Sequence, residues 1–158
     1  MINRWEILLE KGQTYFELEN YEKAADTFKK VIAEKPDLVK AMRYLAECNG
    51  KLGNKKEAIN AYEQIIAFDP NDSETLSKLG SLLLETAQPE KAINVFNKAA
   101  ALAPEDKKLQ FDLGLLNTRQ NHFEAAERHF IKALAVDENY IEALTELARL
   151  KVATNDIE

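Results

Sequence analysis

Residues 20–36 read NYEKAADTFKKVIAEKP, and the pattern of this segment returns three more times at a constant interval of 34 residues. One of its positions is always alanine, another is always phenylalanine or tyrosine, and the first three copies end in proline. These residues are Ala24, Ala58, Ala92 and Ala126, then Phe28, Tyr62, Phe96 and Phe130, then Pro36, Pro70 and Pro104. A fixed period of about 20 to 50 residues is typical of repeat architectures, so the sequence predicts a stacked array.

Each repeat contains two segments with the apolar period of an amphipathic helix. In the first repeat these segments are residues 5–18 and the stretch that follows Asn20. We expect the Asn20 side chain to cap the second helix, because its oxygen can accept a hydrogen bond from a free backbone N–H. Pro36 should end that helix, since the residue before a proline disfavours the α region.

The same plan predicts an all-α fold, an α-solenoid of antiparallel helix pairs joined by short turns. The whole chain, residues 1–158, is expected to form a single array. Its predicted repeats are residues 5–38, 39–72, 73–106 and 107–140, followed by a terminal helix at residues 141–153.

A small residue also recurs inside the first helix of each repeat. These residues are Gly12, Ala46, Gly80, Gly114 and Ala148. Glycine inside a helix costs about 1 kcal/mol relative to alanine, so its return needs a structural reason. We expect the missing side chain to let paired helices cross almost backbone to backbone, with the recurring Phe or Tyr filling the adjacent space.

With these residues the chain resembles the tetratricopeptide repeat family, whose pattern joins a small residue in the first helix to Ala-x-x-x-Phe and a closing proline in the second. The matching residues are Gly12, Tyr15, Ala24, Phe28 and Pro36 in the first repeat, Gly80, Ala92, Phe96 and Pro104 in the third, and Gly114, Ala126 and Phe130 in the fourth. The departures are Lys11, Asn49, Asn117 and Glu138. The resemblance implies a right-handed solenoid that acts as a non-catalytic scaffold for protein–protein interaction.

The two ends of the predicted array differ. The stripe of the first helix that should face a preceding repeat is mostly apolar elsewhere, but in the first repeat it contains Lys11 and Thr14. We therefore expect a solvated cap at that end. At the other end, residues 155–158 resemble the start of another second helix. Either the chain is part of a longer array or its open end docks a partner, or residues 141–153 are themselves the cap.

No residues resemble a catalytic set, so neither enzymatic activity nor a cofactor or metal is expected. His122 and His129 lie seven residues apart, and a solvated helix face explains them better than a metal site, which usually has more ligands at close spacing. Cys48 occupies a position that is leucine in later repeats, which favours a buried apolar role over a nucleophilic one.

Composition narrows the possible partners and the location. A net charge of −6 offers no basic surface for nucleic acid, and no apolar run approaches the length of a membrane span. The single cysteine fits a reducing compartment, so a cytoplasmic location is expected.

The resemblance also implies that the first helices line a concave groove for a peptide or protein segment. Apolar side chains such as Phe111 on that face suggest anchor pockets, and charges of both signs should guide the partner. The alternatives are a self-assembling module joined through residues 141–158, or a targeting module of a larger protein. The predicted partner-binding residues are Leu9, Gln13, Phe16, Lys40, Arg43, Glu47, Lys51, Ser77, Lys78, Ser81, Phe111, Leu115, Arg119 and Arg149.

Overall fold

The computed structural model of the chain describes residues 3–155, and every regular element within that range is an α-helix. The helices are α1 (Arg4–Glu17), α2 (Tyr21–Glu34), α3 (Val39–Lys51), α4 (Lys55–Phe68), α5 (Ser73–Glu85), α6 (Pro89–Leu102), α7 (Lys107–Arg119), α8 (Phe123–Val136) and α9 (Ile141–Asn155). The predicted all-α class is confirmed. The terminal helix continues to Asn155, two residues beyond its predicted end. A further helix is expected from the sequence to begin at residues 155–158; Asn155 belongs to α9 instead, and residues 156–158 lie outside the described residues.

Local sequence signals set the ends of these helices. The Asn20 side-chain oxygen accepts a hydrogen bond from the Lys23 backbone N–H at 3.2 Å, which confirms the predicted cap of α2. The helix ends at Glu34, two residues before Pro36. Pro89 is the first residue of α6, a position where its missing N–H has no partner within the helix.

The turn within each helix pair contains one residue with a left-handed backbone. These residues are Glu19, Gly53, Ala87 and Asn121, with φ values of 56°, 80°, 55° and 61°. They are spaced by the same 34 residues as the sequence repeat, so the period describes backbone conformation as well as residue type. Glycine adopts this conformation without strain, whereas an L side chain costs about 1–2 kcal/mol there.

Two compact units divide the chain, one ending at Leu82 and the other beginning at Leu83. In the first unit, Phe28, Val31 and Cys48 belong to the buried core, which the partly buried side chains of α1 and α3 extend. In the second unit, Phe130 and Leu150 belong to a buried cluster that α7, α8 and α9 share. The prediction of one continuous array with the stated repeat boundaries stays a prediction.

Two of the recurring glycines, Gly12 and Gly114, mark close helix crossings, as predicted. A Cβ atom added to Gly12 would lie 2.6 Å from Cε1 of Phe28, and one added to Gly114 would overlap the Phe130 ring in the same way. Both phenylalanines are fully buried. The aromatic ring of the second helix therefore occupies the space that a first-helix side chain would need.

The surface of α1 includes the polar stripe that the sequence predicts, because Lys11 and Thr14 are both exposed. None of the described helices combines the length and the apolar character that a bilayer crossing requires.

Candidate functional site

A cavity of about 330 Å³ lies in the first unit, where side chains from α1, α3 and α5 meet. Its lining residues are Phe16, Lys40, Arg43, Tyr44, Glu47 and Glu74. Four of these, Phe16, Lys40, Arg43 and Glu47, belong to the predicted partner-binding set. All three helices are the first helices of their pairs, and these are the helices from which the sequence predicts binding.

Aromatic contacts hold the apolar wall of this cavity in place. The Phe16 ring lies edge-on to Tyr44 at a centroid distance of 5.3 Å, and Tyr44 stacks on the buried Phe28 ring at 4.9 Å. The Tyr44 hydroxyl also accepts a hydrogen bond from the Gln13 side chain at 3.1 Å. Gln13 is therefore a support of the wall, and Phe16 and Tyr44 present a rigid aromatic surface to the cavity.

A network of ion pairs supplies charged groups to the lining of the cavity, through Arg43, Glu47 and Glu74. Arg43 Nη2 lies 2.5 Å from Asp72 Oδ2, and Arg43 Nη1 lies 3.1 Å from Glu74 Oε2. Lys78 pairs with Glu47 and, at 3.1 Å, with Oε1 of Glu74. The network thus links α3 to α5 and to the loop residue that precedes α5.

The pKa values of two groups in this network reflect the pairing. Burial alone would raise the pKa of Asp72, but hydrogen bonds from Thr75 and the charge of Arg43 outweigh it and lower the pKa. Burial would lower the pKa of Lys78, but its hydrogen bonds to Glu47 and Glu74 raise it. Both groups therefore stay ionised over a wider pH range than they would in an unfolded chain.

This pairing leaves Lys40 as the cavity cation that is open to a ligand. Lys40 is exposed and forms no ion pair with any described residue. Arg43, by contrast, is committed to Asp72 and Glu74, and its Nε is buried with no hydrogen-bond partner in the described part of the chain.

Other predicted residues of the first unit lie outside the cavity. Leu9 is half-buried against the core, and Lys51 is exposed at the last residue of α3. The hydroxyl groups of Ser77 and Ser81 donate hydrogen bonds to carbonyl oxygens of their own helix, at 2.9 and 3.0 Å. The structure therefore gathers only part of the predicted set in this unit.

The four predicted residues of the second unit differ in exposure, and two of them pack against the core. Phe111, expected as an exposed anchor, is half-buried between Phe130 and Tyr140 at centroid distances of 5.8 and 5.2 Å. Leu115 packs against the same buried cluster. Arg119 is exposed, and Arg149 pairs with Glu146 at 2.6 Å. Phe111 and Leu115 pack into the core because they contact the cluster that contains Phe130. The Phe130 ring fills the space beside Gly114.

The expectation of a solvated face for both histidines is wrong for His129. Its side chain is 9% exposed, and its Nδ1 lies 2.9 Å from Oε1 of Gln110, which is 2% exposed. Burial, with the nearby charges of Lys132 and Arg128, lowers the pKa of His129 to about 4. The sequence signal was available: the other repeats carry Leu8, Met42, Leu76 and Leu144 at the position of Gln110.

Cys48 is fully buried, as expected from its position. Burial raises the pKa of its thiol to about 11, and the charge of Glu47 adds to the effect. A thiol with such a pKa is a poor nucleophile at neutral pH. Among the described residues, no group of three or more His, Cys, Asp and Glu side chains is arranged to hold a metal ion.

Comparison with protein families gives a match to the tetratricopeptide repeat, at residues 15–82 and 51–113. The two matches together span more than half of the chain. No curated protein sequence matches the chain significantly.

Several solved structures resemble nine-tenths or more of the chain. A tetratricopeptide repeat protein from Parabacteroides merdae ATCC 43184 has a TM-score of 0.85 at 23% identity, over 96% of this chain and 60% of its own. MamA 41-end from Desulfovibrio magneticus RS-1 has a TM-score of 0.79 at 22% identity, over 99% and 88%. YrrB, described as a TPR protein with an unusual peptide-binding site, has a TM-score of 0.72 at 20% identity, over 90% and 73%. At these identities the likeness concerns the fold, and it confirms the predicted helical-repeat class.

Proposed function

We propose that this chain, which belongs to the tetratricopeptide repeat family, is a non-catalytic scaffold that binds a peptide or protein segment on its first-helix face. The observation that carries the proposal is the cavity of the first unit, where Phe16 and Lys40 lie together between α1, α3 and α5. The solved structure of YrrB is described as having a peptide-binding site, which supports the same kind of role here.

The residues that line the cavity indicate which residue types the partner segment should carry. Phe16 and Tyr44 offer a fixed aromatic surface for one apolar side chain, since their contacts are already made in the free protein. Lys40 offers a cation that no described carboxylate neutralises. The bound segment should therefore carry an apolar residue next to an acidic one. The paired carboxylates Glu47 and Glu74 should disfavour a second acidic residue.

The test is affinity capture with the intact chain, followed by mass spectrometry of the retained proteins and titration of the best candidate. Lys40→Glu should lower the affinity of that candidate by about tenfold or more, because it replaces attraction by repulsion at an exposed charge. Phe16→Ala should also weaken binding, because it removes half of the aromatic surface.

The matched control is Lys30→Glu, which makes the same charge change on α2, where Lys30 is exposed and lines no part of the cavity. A partner whose affinity falls equally with Lys30→Glu responds to net charge alone. A partner that keeps full affinity for both the Lys40 and Phe16 variants binds elsewhere, and either result refutes the proposed site.

A second candidate function is self-association through the terminal helix, and the exposed apolar side chains of α9 favour it. Ile141, Leu144 and Val152 are 72%, 46% and 63% exposed. They share one face of the helix with Ala148, which occupies the repeat position of Gly12 and Gly114. In those two repeats the equivalent face is covered by a phenylalanine of the second helix.

Light scattering over a range of protein concentrations tests this second function. Self-association should weaken in Leu144→Glu but persist in Ile131→Glu, which changes an equally exposed apolar residue of α8. A wild-type chain that stays monomeric at every concentration would rule out self-association. The proposed cytoplasmic location, without nucleic acid or membrane insertion, is common to both functions.

A further inference from the structure

A second cavity, of about 380 Å³, lies in the second unit and shares no lining residue with the cavity of the first unit. Its lining comes mainly from the second helices α6 and α8. Ala100, Ala101 and Pro104 line it from α6 and the turn that follows, and Ala135 and Val136 line it from α8. Sites for small molecules have volumes of about 300–1,000 Å³ and mostly apolar walls, so the size and lining of this cavity suit a small ligand.

A departure from the repeat pattern contributes to the room in this cavity. The residue at the position of Ala100 is isoleucine in the first two repeats, Ile32 and Ile66, and leucine in the fourth, Leu134. Ala100 is buried, with 6% of its surface exposed, and it lines the cavity. Because protein interiors are close-packed, an alanine at a position that elsewhere holds a branched side chain leaves space for an apolar group of a ligand.

The charge of the cavity is positive. Among the lining residues that the structure describes, Lys132 alone carries a charge at neutral pH. Lys132 is exposed and forms no ion pair with a described residue. His129 also lines the cavity, but it is neutral because burial, with the charges of Lys132 and Arg128, lowers its pKa to about 4. Its Nδ1 is already paired with Oε1 of Gln110 at 2.9 Å. Lys132 is therefore the group that remains for a charged ligand.

We propose that this cavity binds a small organic acid, whose apolar body contacts Ala100, Ala101 and Val136 and whose carboxylate pairs with Lys132. Arg128 lies one turn before Lys132 on α8 and adds positive potential at the same cavity, because its charge also acts on His129. The two positive charges favour an anionic ligand and oppose a cationic one.

The ligand can come from a free acid or from the C-terminal residue of a peptide, which joins an apolar side chain to a carboxylate. Three probes that share a naphthalene ring and differ in charge test the site: 2-naphthoate, 2-naphthamide and 2-naphthylmethylamine. The tripeptide Gly-Gly-Phe, compared with its C-terminal amide, tests the second source. Binding is followed in the intact chain at neutral pH by NMR titration of the methyl groups of Ala100, Ala101 and Val136.

The acid should bind best among the three naphthalene probes. We expect 2-naphthoate to give saturable shifts with a dissociation constant on the order of 1 mM, as is usual for a ligand of this size. The amide should bind about three- to fivefold more weakly, because an ion pair near the surface adds only modestly to affinity, and the amine should bind more weakly still. Preference for Gly-Gly-Phe over its amide identifies a chain terminus as a source, and binding of 2-naphthoate alone identifies a free acid. Either result supports the site.

Two variants test the cation and the cavity separately. Lys132→Met should weaken the binding of 2-naphthoate about three- to fivefold and leave that of 2-naphthamide unchanged. The matched control Lys91→Met, at an exposed residue of α6 outside the lining, should change neither. Ala100→Ile introduces the residue of Ile32 and Ile66, so it should fill the cavity and weaken the binding of both probes. Chemical denaturation checks that each variant folds.

The outcomes that contradict the proposal are equally distinct. It is overturned if 2-naphthoate gives no saturable shift in the wild-type chain, or if the amine binds as tightly as the acid. Equal affinity of the Lys132→Met and Lys91→Met variants for 2-naphthoate would exclude Lys132 as the paired cation. Full binding by a folded Ala100→Ile variant would mean that the ligand lies outside this cavity, and either result refutes the site.

Discussion

At the scale of single residues, the buried pair of Gln110 and His129 is the clearest departure from the repeat pattern. His129 stays neutral because burial lowers its pKa to about 4. In the unfolded chain the same imidazole returns to its ordinary pKa of 6.5. A protonated His129 would carry an unpaired charge into an apolar environment, which is strongly unfavourable.

This difference predicts a pH dependence of stability. Between pH 6.5 and 4 the unfolded chain binds a proton at His129 and the folded chain does not. The contribution of His129 to the free energy of unfolding is therefore full above pH 6.5 and falls as the pH drops to 4. The loss over that window is on the order of 3 kcal/mol. Urea unfolding at a series of pH values measures it. The double variant Gln110→Leu with His129→Val should show a much flatter profile, and an equal slope in both proteins would contradict this origin.

At the scale of helices, we expect stability to depend on two features: the glycine crossing, seen at Gly12 and Gly114, and the left-handed turn, which recurs every 34 residues. The crossing brings α7 against α8 at Gly114 and Phe130, and α1 against α2 at Gly12 and Phe28. The turn then reverses the chain within a few residues. Both features depend on the backbone, so substitutions at these positions test how two helices are packed and connected.

We expect Gly114→Ala to destabilise the protein by about 1–2 kcal/mol. The new methyl group would overlap the buried Phe130 ring, and such overpacking costs about 1–3 kcal/mol, partly offset by the better helix propensity of alanine. Chemical denaturation measures the change. The control is Gly50→Ala in α3, where an added Cβ meets nothing within 4 Å. It should stabilise the chain by up to about 1 kcal/mol, and similar effects at both sites would contradict the crossing.

We expect Ala87→Gly to stabilise the protein by about 0.5–1 kcal/mol. Glycine removes the strain energy of the left-handed backbone at φ 55°. This stabilisation exceeds the free-energy cost that arises because glycine gives the unfolded chain more conformational entropy. Thermal unfolding measures the effect. The same substitution at Ala67, an exposed residue of α4, should instead lower the stability by about 0.5–1 kcal/mol. A loss of stability at both positions would show that the turn is not strained.

At the scale of the whole molecule, we expect a substitution to change stability mainly in the unit that contains it. The chain divides into two compact units, and each repeat in this family contacts mainly its neighbours. The stability of such arrays is approximately a sum of repeat terms and nearest-neighbour terms. Hydrogen exchange should therefore show that Gly12→Ala accelerates exchange mainly in α1 to α4, while Gly114→Ala acts mainly in α7 to α9. Equal acceleration throughout both units would indicate a single cooperative transition.

Much of the candidate site could be predicted from the sequence, but which of its cations is free to bind a ligand could not. The resemblance placed Phe16, Lys40, Arg43 and Glu47 on one face, and the structure brings all four to one cavity. Only the folded chain distinguishes the free Lys40 from Arg43, because the Arg43 partners lie 29 and 31 residues further along. The same limit applies to Phe111, whose burial depends on Phe130 of the next helix.

The all-α class, the approximate positions of the helices and the crossings at Gly12 and Gly114 could be predicted from the sequence, because period, caps and small residues act locally or repeat at a constant interval. What the tertiary structure alone decided is the state of the polar groups: Arg43 committed to Asp72 and Glu74, and His129 buried with Gln110. These states depend on the distance and burial of residues far apart in the chain. The free energy of a charge or an imidazole is set by that environment, and a residue pattern does not contain it.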